Sequence, residues 1–87
     1  MIPLFASIPR DTAWAFAEEL LGRGVSRVEI RTYRDSERRR EQATIMIDPA
    51  DADDCNRSIH GIVHNVNRRL DARIERELKR AGFLAAE

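Results

Sequence analysis

Two histidines, His60 and His64, stand four residues apart, the spacing that puts both imidazoles on one helix face and can hold a zinc ion. A third ligand is missing. Asn56, Asn67 and Asp71 share that side, but Asp71 lies seven residues beyond His64, about 10 Å along a helix axis. The lone Cys55 cannot form an internal disulfide, and its place on an apolar stripe reads as a small buried hydrophobe. Ser58 is a helical neighbour of Asp54 but faces differently from His60, and the chain has neither a Gly-rich phosphate loop nor a nucleophile elbow. We therefore expect no catalytic residue, no metal, no cofactor and no small-molecule substrate.

The other residues with chemical potential are the arginines. Of 15 basic residues, all but Lys79 are Arg, and Arg binds carboxylate and phosphate bidentately where Lys cannot. Arg27, Arg31 and Tyr33 would share the solvent face of a strand, close to Arg38, Arg39 and Arg40 in the following loop. Guanidinium groups beside an aromatic suit phosphate contact and base stacking on a single-stranded nucleic acid. Against that, Glu29, Asp35, Glu37 and Glu41 are interleaved with them, and the net charge is zero with a pI near 6.7, whereas a nucleic-acid domain is usually strongly basic. The patch reads first as a protein-docking surface and second as an RNA- or DNA-binding one.

These residues must be positioned by a small number of elements. A chain of 87 residues that is 43% hydrophobic and 34% charged is neither disordered nor fibrous, and one domain, residues 1–87, is the natural count. Leu4-Phe5-Ala6-Ser7-Ile8 is too short to span a bilayer and lacks a basic leader, so we expect a cytoplasmic protein. The segment from Ile2 to Ile8 reads as a short strand despite Pro3. Asp11 or Thr12 would cap a helix whose broad apolar face carries Ala13, Trp14, Phe16, Ala17, Leu20 and Leu21, stopped by Gly22 and Gly24. Val28, Ile30 and Thr32 alternate with Arg27, Glu29, Arg31 and Tyr33, and Ala43, Ile45 and Ile47 repeat that period; the polar run 34–41 would be the loop between two strands.

The longest feature follows. Asp48 reads as an N-cap with Pro49 at the first helical position, and Gly82 as the stop. Between them Cys55, Ile59, Ile62, Val63, Val66, Leu70, Ile74, Leu78 and Ala81 recur at spacings of three and four, which predicts one amphipathic helix over about 49–81. At 1.5 Å per residue it would span about 50 Å, against roughly 30 Å for a compact domain of this size. Gly61 interrupts the run without changing its phase, which suggests a close crossing rather than a break. Phe83 and Leu84 follow in an apolar tail.

The expected class is α+β: a three-stranded sheet, or a two-stranded hairpin if the first strand fails, with one short and one long helix, as in a truncated ferredoxin-like βαββα plan. The series Ile47-Asp48, Asp53-Asp54-Cys55 and Leu70-Asp71 resembles a pattern in the N-terminal domain of the bacterial ribosome maturation factor P family; the intervals differ, and no role is carried over. The overlong helix predicts a homodimer whose seam is Val66, Leu70, Ile74 and Leu78, flanked by Arg69, Arg73, Arg76 and Arg80. The expected function is a non-enzymatic protein–protein interaction module, a small regulator or inhibitor of a larger complex, with a protein partner; the alternative is an RNA- or DNA-binding module using the Arg-rich hairpin.

Overall fold

A computed structural model describes residues Met1–Gly82. Strand β1 spans Ile2–Pro9, helix α1 Ala13–Gly22, strand β2 Val28–Asp35, strand β3 Arg40–Ile47, helix α2 Ala52–Arg57 and helix α3 Ile59–Arg80. Short 3-10 turns, Arg10–Thr12 and Pro49–Asp51, lead into α1 and α2. The sheet is three-stranded, with order β1-β3-β2 and both pairings antiparallel. The first strand is therefore real, and β1 and β2 run parallel with β3 between them.

The period-two pattern decides which face of the sheet is covered. In register, Val28 opposes Ile47, Ile30 opposes Ile45 and Thr32 opposes Ala43; Ala43, Ile45 and Ile47 are fully buried and join Leu20 of α1 and Ile62 and Val66 of α3 in one core. Phe5 adds a ring to this core, tilted against Phe16 with centroids 4.6 Å apart. The alternate positions, Glu29 with Met46, Arg31 with Thr44 and Tyr33 with Gln42, occupy the other face.

Three expectations change. The strands of the hairpin extend further than their apolar residues suggest, through Arg34 paired with Glu41 and Asp35 paired with Arg40, so the loop is only residues 36–39. Opposite charges face each other across these rungs, which stabilises pairing as well as apolar pairs do. Asp35 then folds the turn by accepting from the Glu37 and Arg38 amides at 3.0 and 3.3 Å, and Arg39 closes it in the left-handed region at φ 52°. In α1, neither Asp11 nor Thr12 caps by its side chain; the Thr12 hydroxyl instead donates to the Pro9 carbonyl at 2.8 Å. The buried residues of α1 are Ala13, Ala15, Phe16, Glu19 and Leu20, while Leu21 is exposed.

The third change concerns the long helix. Asp48 caps as expected, accepting from the Ala50 amide at 2.8 Å ahead of Pro49, and Gly82 ends the run at φ 82°. The stretch between is not one helix: it breaks at Ser58, whose φ −102° and ψ 13° separate α2 from α3. The Ser58 amide still donates to the Asp54 carbonyl at 3.2 Å and the Ile62 amide to the Ser58 carbonyl at 2.9 Å, so the apolar phase survives the bend and hides it. Gly61 is not a helix crossing. A Cβ there would come within 3.1 Å of an Arg23 guanidinium nitrogen, so a larger residue would make that arginine side chain give way by a few tenths of an ångström.

Even after the break, α3 has 22 residues and is about 33 Å long. The molecule measures 45 × 33 × 18 Å with a radius of gyration of 14.9 Å, against about 12 Å for a compact chain of this length. No helix among the described residues is long and apolar enough to cross a membrane. Phe83 and Leu84 lie outside the described residues.

Candidate functional site

The two halves of α3 make different contacts. In the first, Ile62 and Val66 are buried against the core, and Asn65 and Arg69 reach Glu19 of α1. From Asp71 to Gly82 every residue is exposed except half-buried Leu78. The overhang inferred from the stripe is thus present, and it does not stand clear of the domain. Its apolar side faces β2 across a groove of about 720 Å³.

Each wall of the groove comes from a different element. Ile30 and Thr32 contribute from the core face of β2, Trp14 and Ala13 from the start of α1, and Leu70, Arg73, Ile74 and Glu77 from α3. Two of the large apolar side chains here are open to water, Ile30 at 40% and Ile74 at 54% exposure. One rim is ordered by Arg73, whose guanidinium lies 5.0 Å from the Trp14 ring centroid and whose Nε donates to Glu77 at 3.2 Å. An apolar floor with a charged rim is suited to another protein surface rather than to a small polar ligand.

Of the seam expected on the helix, Leu70, Ile74 and Leu78 lie on the overhanging half or at its root. Val66 does not belong with them: at 1% exposure it is part of the chain's own core and has no area left to offer another chain. The arginine patch is divided. Arg27, Arg31 and Tyr33 sit at or along β2 on the face away from the helices, whereas Arg38, Arg39 and Arg40 are at the hairpin tip. Arg31 donates to Glu29 at 2.8 Å, Arg38 lies 3.9 Å from Asp35, and the Tyr33 hydroxyl donates to Ser7 Oγ at 3.0 Å. Two of the interleaved acids, Glu29 and Asp35, thus engage Arg31 and Arg38.

His60 and His64 are both exposed on α3, and among the described residues no group of three or more His, Cys, Asp or Glu side chains could hold a metal ion. Cys55 is buried. Burial pushes its thiol pKa up, with Asp51 and Asp54 adding to the effect, which disfavours the thiolate needed for nucleophilic chemistry. Among the described residues, no buried side-chain polar atom lacks a hydrogen-bond partner.

Glu19 is the residue that periodicity missed. Its side chain, 6% exposed, accepts from Arg23 at 2.6 Å, from Asn65 at 2.8 Å and from two Arg69 nitrogens at 3.3 Å. Burial raises its pKa, but the bonds from Asn65, Arg23 and Arg69 outweigh that and hold the carboxyl below its ordinary value. This cluster locks α1 to the first half of α3 and so fixes where the second half projects. The i,i+4 pair of Glu19 and Arg23 was visible in the sequence, but only the packing of α3 turns it inward. Set against family models, curated proteins and solved structures, the chain matches none of them.

Proposed function

We propose that this chain is a non-enzymatic protein–protein interaction module that works as a homodimer through the overhanging half of α3, a small regulator or inhibitor of a larger complex. The observation that carries the reading is the groove below the overhang, where Ile30 and Ile74 stand open to water on facing walls. Full burial of an Ile is worth about 1.5–3 kcal/mol. Ile74 is about half exposed and Leu70 and Leu78 are half-buried, so each contributes part of that value on both sides of a two-fold axis, and this gain is set against the entropic cost of association.

Sedimentation velocity tests this. The unmodified protein is expected as a dimer at micromolar concentration, and Ile74→Glu as a folded monomer with unchanged circular dichroism. A monomer at high concentration in the unmodified protein refutes the homodimer. The alternative reading, an RNA- or DNA-binding module, rests on Arg38, Arg39 and Arg40 at the hairpin tip. It requires affinity for a mixed oligonucleotide that falls steeply with salt and drops when all three are changed to Ser. No binding at low salt eliminates it.

A further inference from the structure

The sheet has two edges, and they are built differently. β1 carries Pro3 and Pro9, and its pairing with β3 shifts between Pro3 and Phe5 and again between Phe5 and Ile8. Prolines and irregularities of this kind blunt an edge against further strands. β2 has neither: its register runs unbroken from Val28↔Ile47 to Asp35↔Arg40, and it contains no proline. Its outer row of backbone amides and carbonyls is therefore a regular template for another strand.

We propose that a second copy of this chain adds to the sheet across β2, antiparallel, with the two-fold axis passing at Ile30. The inference rests on the homodimeric reading above and adds to its α3 seam a second surface that joins the copies. In an antiparallel self-pairing, residues equally far on either side of the axis face each other. With the axis at Ile30, Ile30 meets the partner's Ile30, Glu29 meets the partner's Arg31 and Arg31 meets the partner's Glu29. Val28 then meets the partner's Thr32, and Arg27 meets the partner's Tyr33. Each rung matches two β-branched side chains, acid with base or cation with ring, pairs that suit adjacent strands.

The nearby registers fail on charge. With the axis at Arg31, that residue would face the partner's Arg31. With the axis at Glu29, that carboxylate would face the partner's Glu29, and Arg27 the partner's Arg31. Like charges directly opposite are destabilising. The same register also serves the groove. Ile30 lines its floor together with Ile74, so pairing at Ile30 joins the floors of two grooves and takes from water the side chain that the core face of β2 leaves exposed.

Two variants read the register directly. In a Cys55→Ala background, Ile30→Cys places two thiols opposite each other on the axis, with Cα atoms about 4.5–5.5 Å apart, within disulfide reach. Mild oxidation should convert most of the protein to a covalent dimer. Thr32→Cys in the same background should stay monomeric on a non-reducing gel, because four residues along the strand separate its thiols by about 13 Å. Glu29→Arg should weaken the dimer at least about tenfold, and Glu29→Arg with Arg31→Glu should restore it, since the exchange preserves every pair. If the protein is a dimer that Ile30→Cys does not cross-link and Glu29→Arg does not weaken, pairing at β2 is wrong and the α3 seam alone stands. A monomer at all concentrations overturns both.

Discussion

The first and second halves of α3 carry the same apolar period, yet only the first half has found its partner within the chain. Ile62 and Val66 are at 0% and 1% exposure, while Ile74, twelve residues beyond Ile62 on the same stripe, is at 54%. The difference is one of reach. α1 has 10 residues, about 15 Å of helix; Glu19, Asn65 and Arg69 strap it to the first half of α3, and Trp14 under Arg73 reaches only the start of the second half. A repeating pattern therefore marks what can be buried, and the length of the opposing element decides what is.

The largest expected effect separates the halves by stability. Ile62→Ala should cost about 2–5 kcal/mol in chemical denaturation, since it opens a cavity in a closed core. Ile74→Ala, measured on dilute monomer, should cost less than about 1 kcal/mol. Equal losses would mean that the overhang is packed within its own chain and would remove the basis for a partner.

Removing the strap should have the next largest effect. Glu19→Gln keeps the shape of the side chain but takes away the charge that Arg23 and Arg69 bond to, and should cost about 2–3 kcal/mol. The arginines are partly solvated, at 33% and 39% exposure, which keeps the loss near the lower end of values for buried pairs.

The same carboxylate sets a pH dependence. Its pKa is lowered in the folded state, so it contributes stability fully above the ordinary glutamate value of about 4.3 and loses that contribution as pH falls through the folded value. The difference in Tm between the unmodified protein and Glu19→Gln should accordingly be constant near neutrality and shrink below about pH 4. A difference independent of pH down to strong acid would show that the bonds, not the charge, hold the helices together.

The smallest effect concerns Gly61. Replacing it with Ala should gain up to about 1 kcal/mol of helix propensity, but the new Cβ would lie 3.1 Å from the Arg23 guanidinium, which is itself held by Glu19. The two terms should nearly cancel. In an Arg23→Ala background the same substitution should stabilise, by close to the full propensity difference. If Gly61→Ala stabilises equally in both backgrounds, Arg23 does not constrain that turn.

The sequence pattern places three strands and the first helix, reads α2 and α3 as one helix, and misses boundaries for identifiable reasons. The ends of the hairpin were hidden because Arg34, Asp35, Arg40 and Glu41 pair by charge, and charged runs look like loops. The break at Ser58 was hidden because the bend preserves the phase of Cys55, Ile59 and Ile62. Of the candidate site, Leu70, Ile74 and Leu78 were legible as an apolar stripe, whereas Trp14, Ile30 and Arg73 join them only through the crossing of three elements. Val66 was assigned to the wrong surface because a stripe does not state where its cover ends.

Alternation and spacing alone determined that this chain would form a small α+β domain with a helix too long for it, since both properties follow from local geometry and burial of one face. Tertiary structure decided the rest. Burial of Glu19, the position of the overhang above β2, and the choice of β2 rather than β1 as the regular edge depend on contacts between residues distant in sequence, such as Glu19 with Arg69 and Val28 with Ile47. No local pattern encodes such contacts, because their energy exists only once the elements have packed.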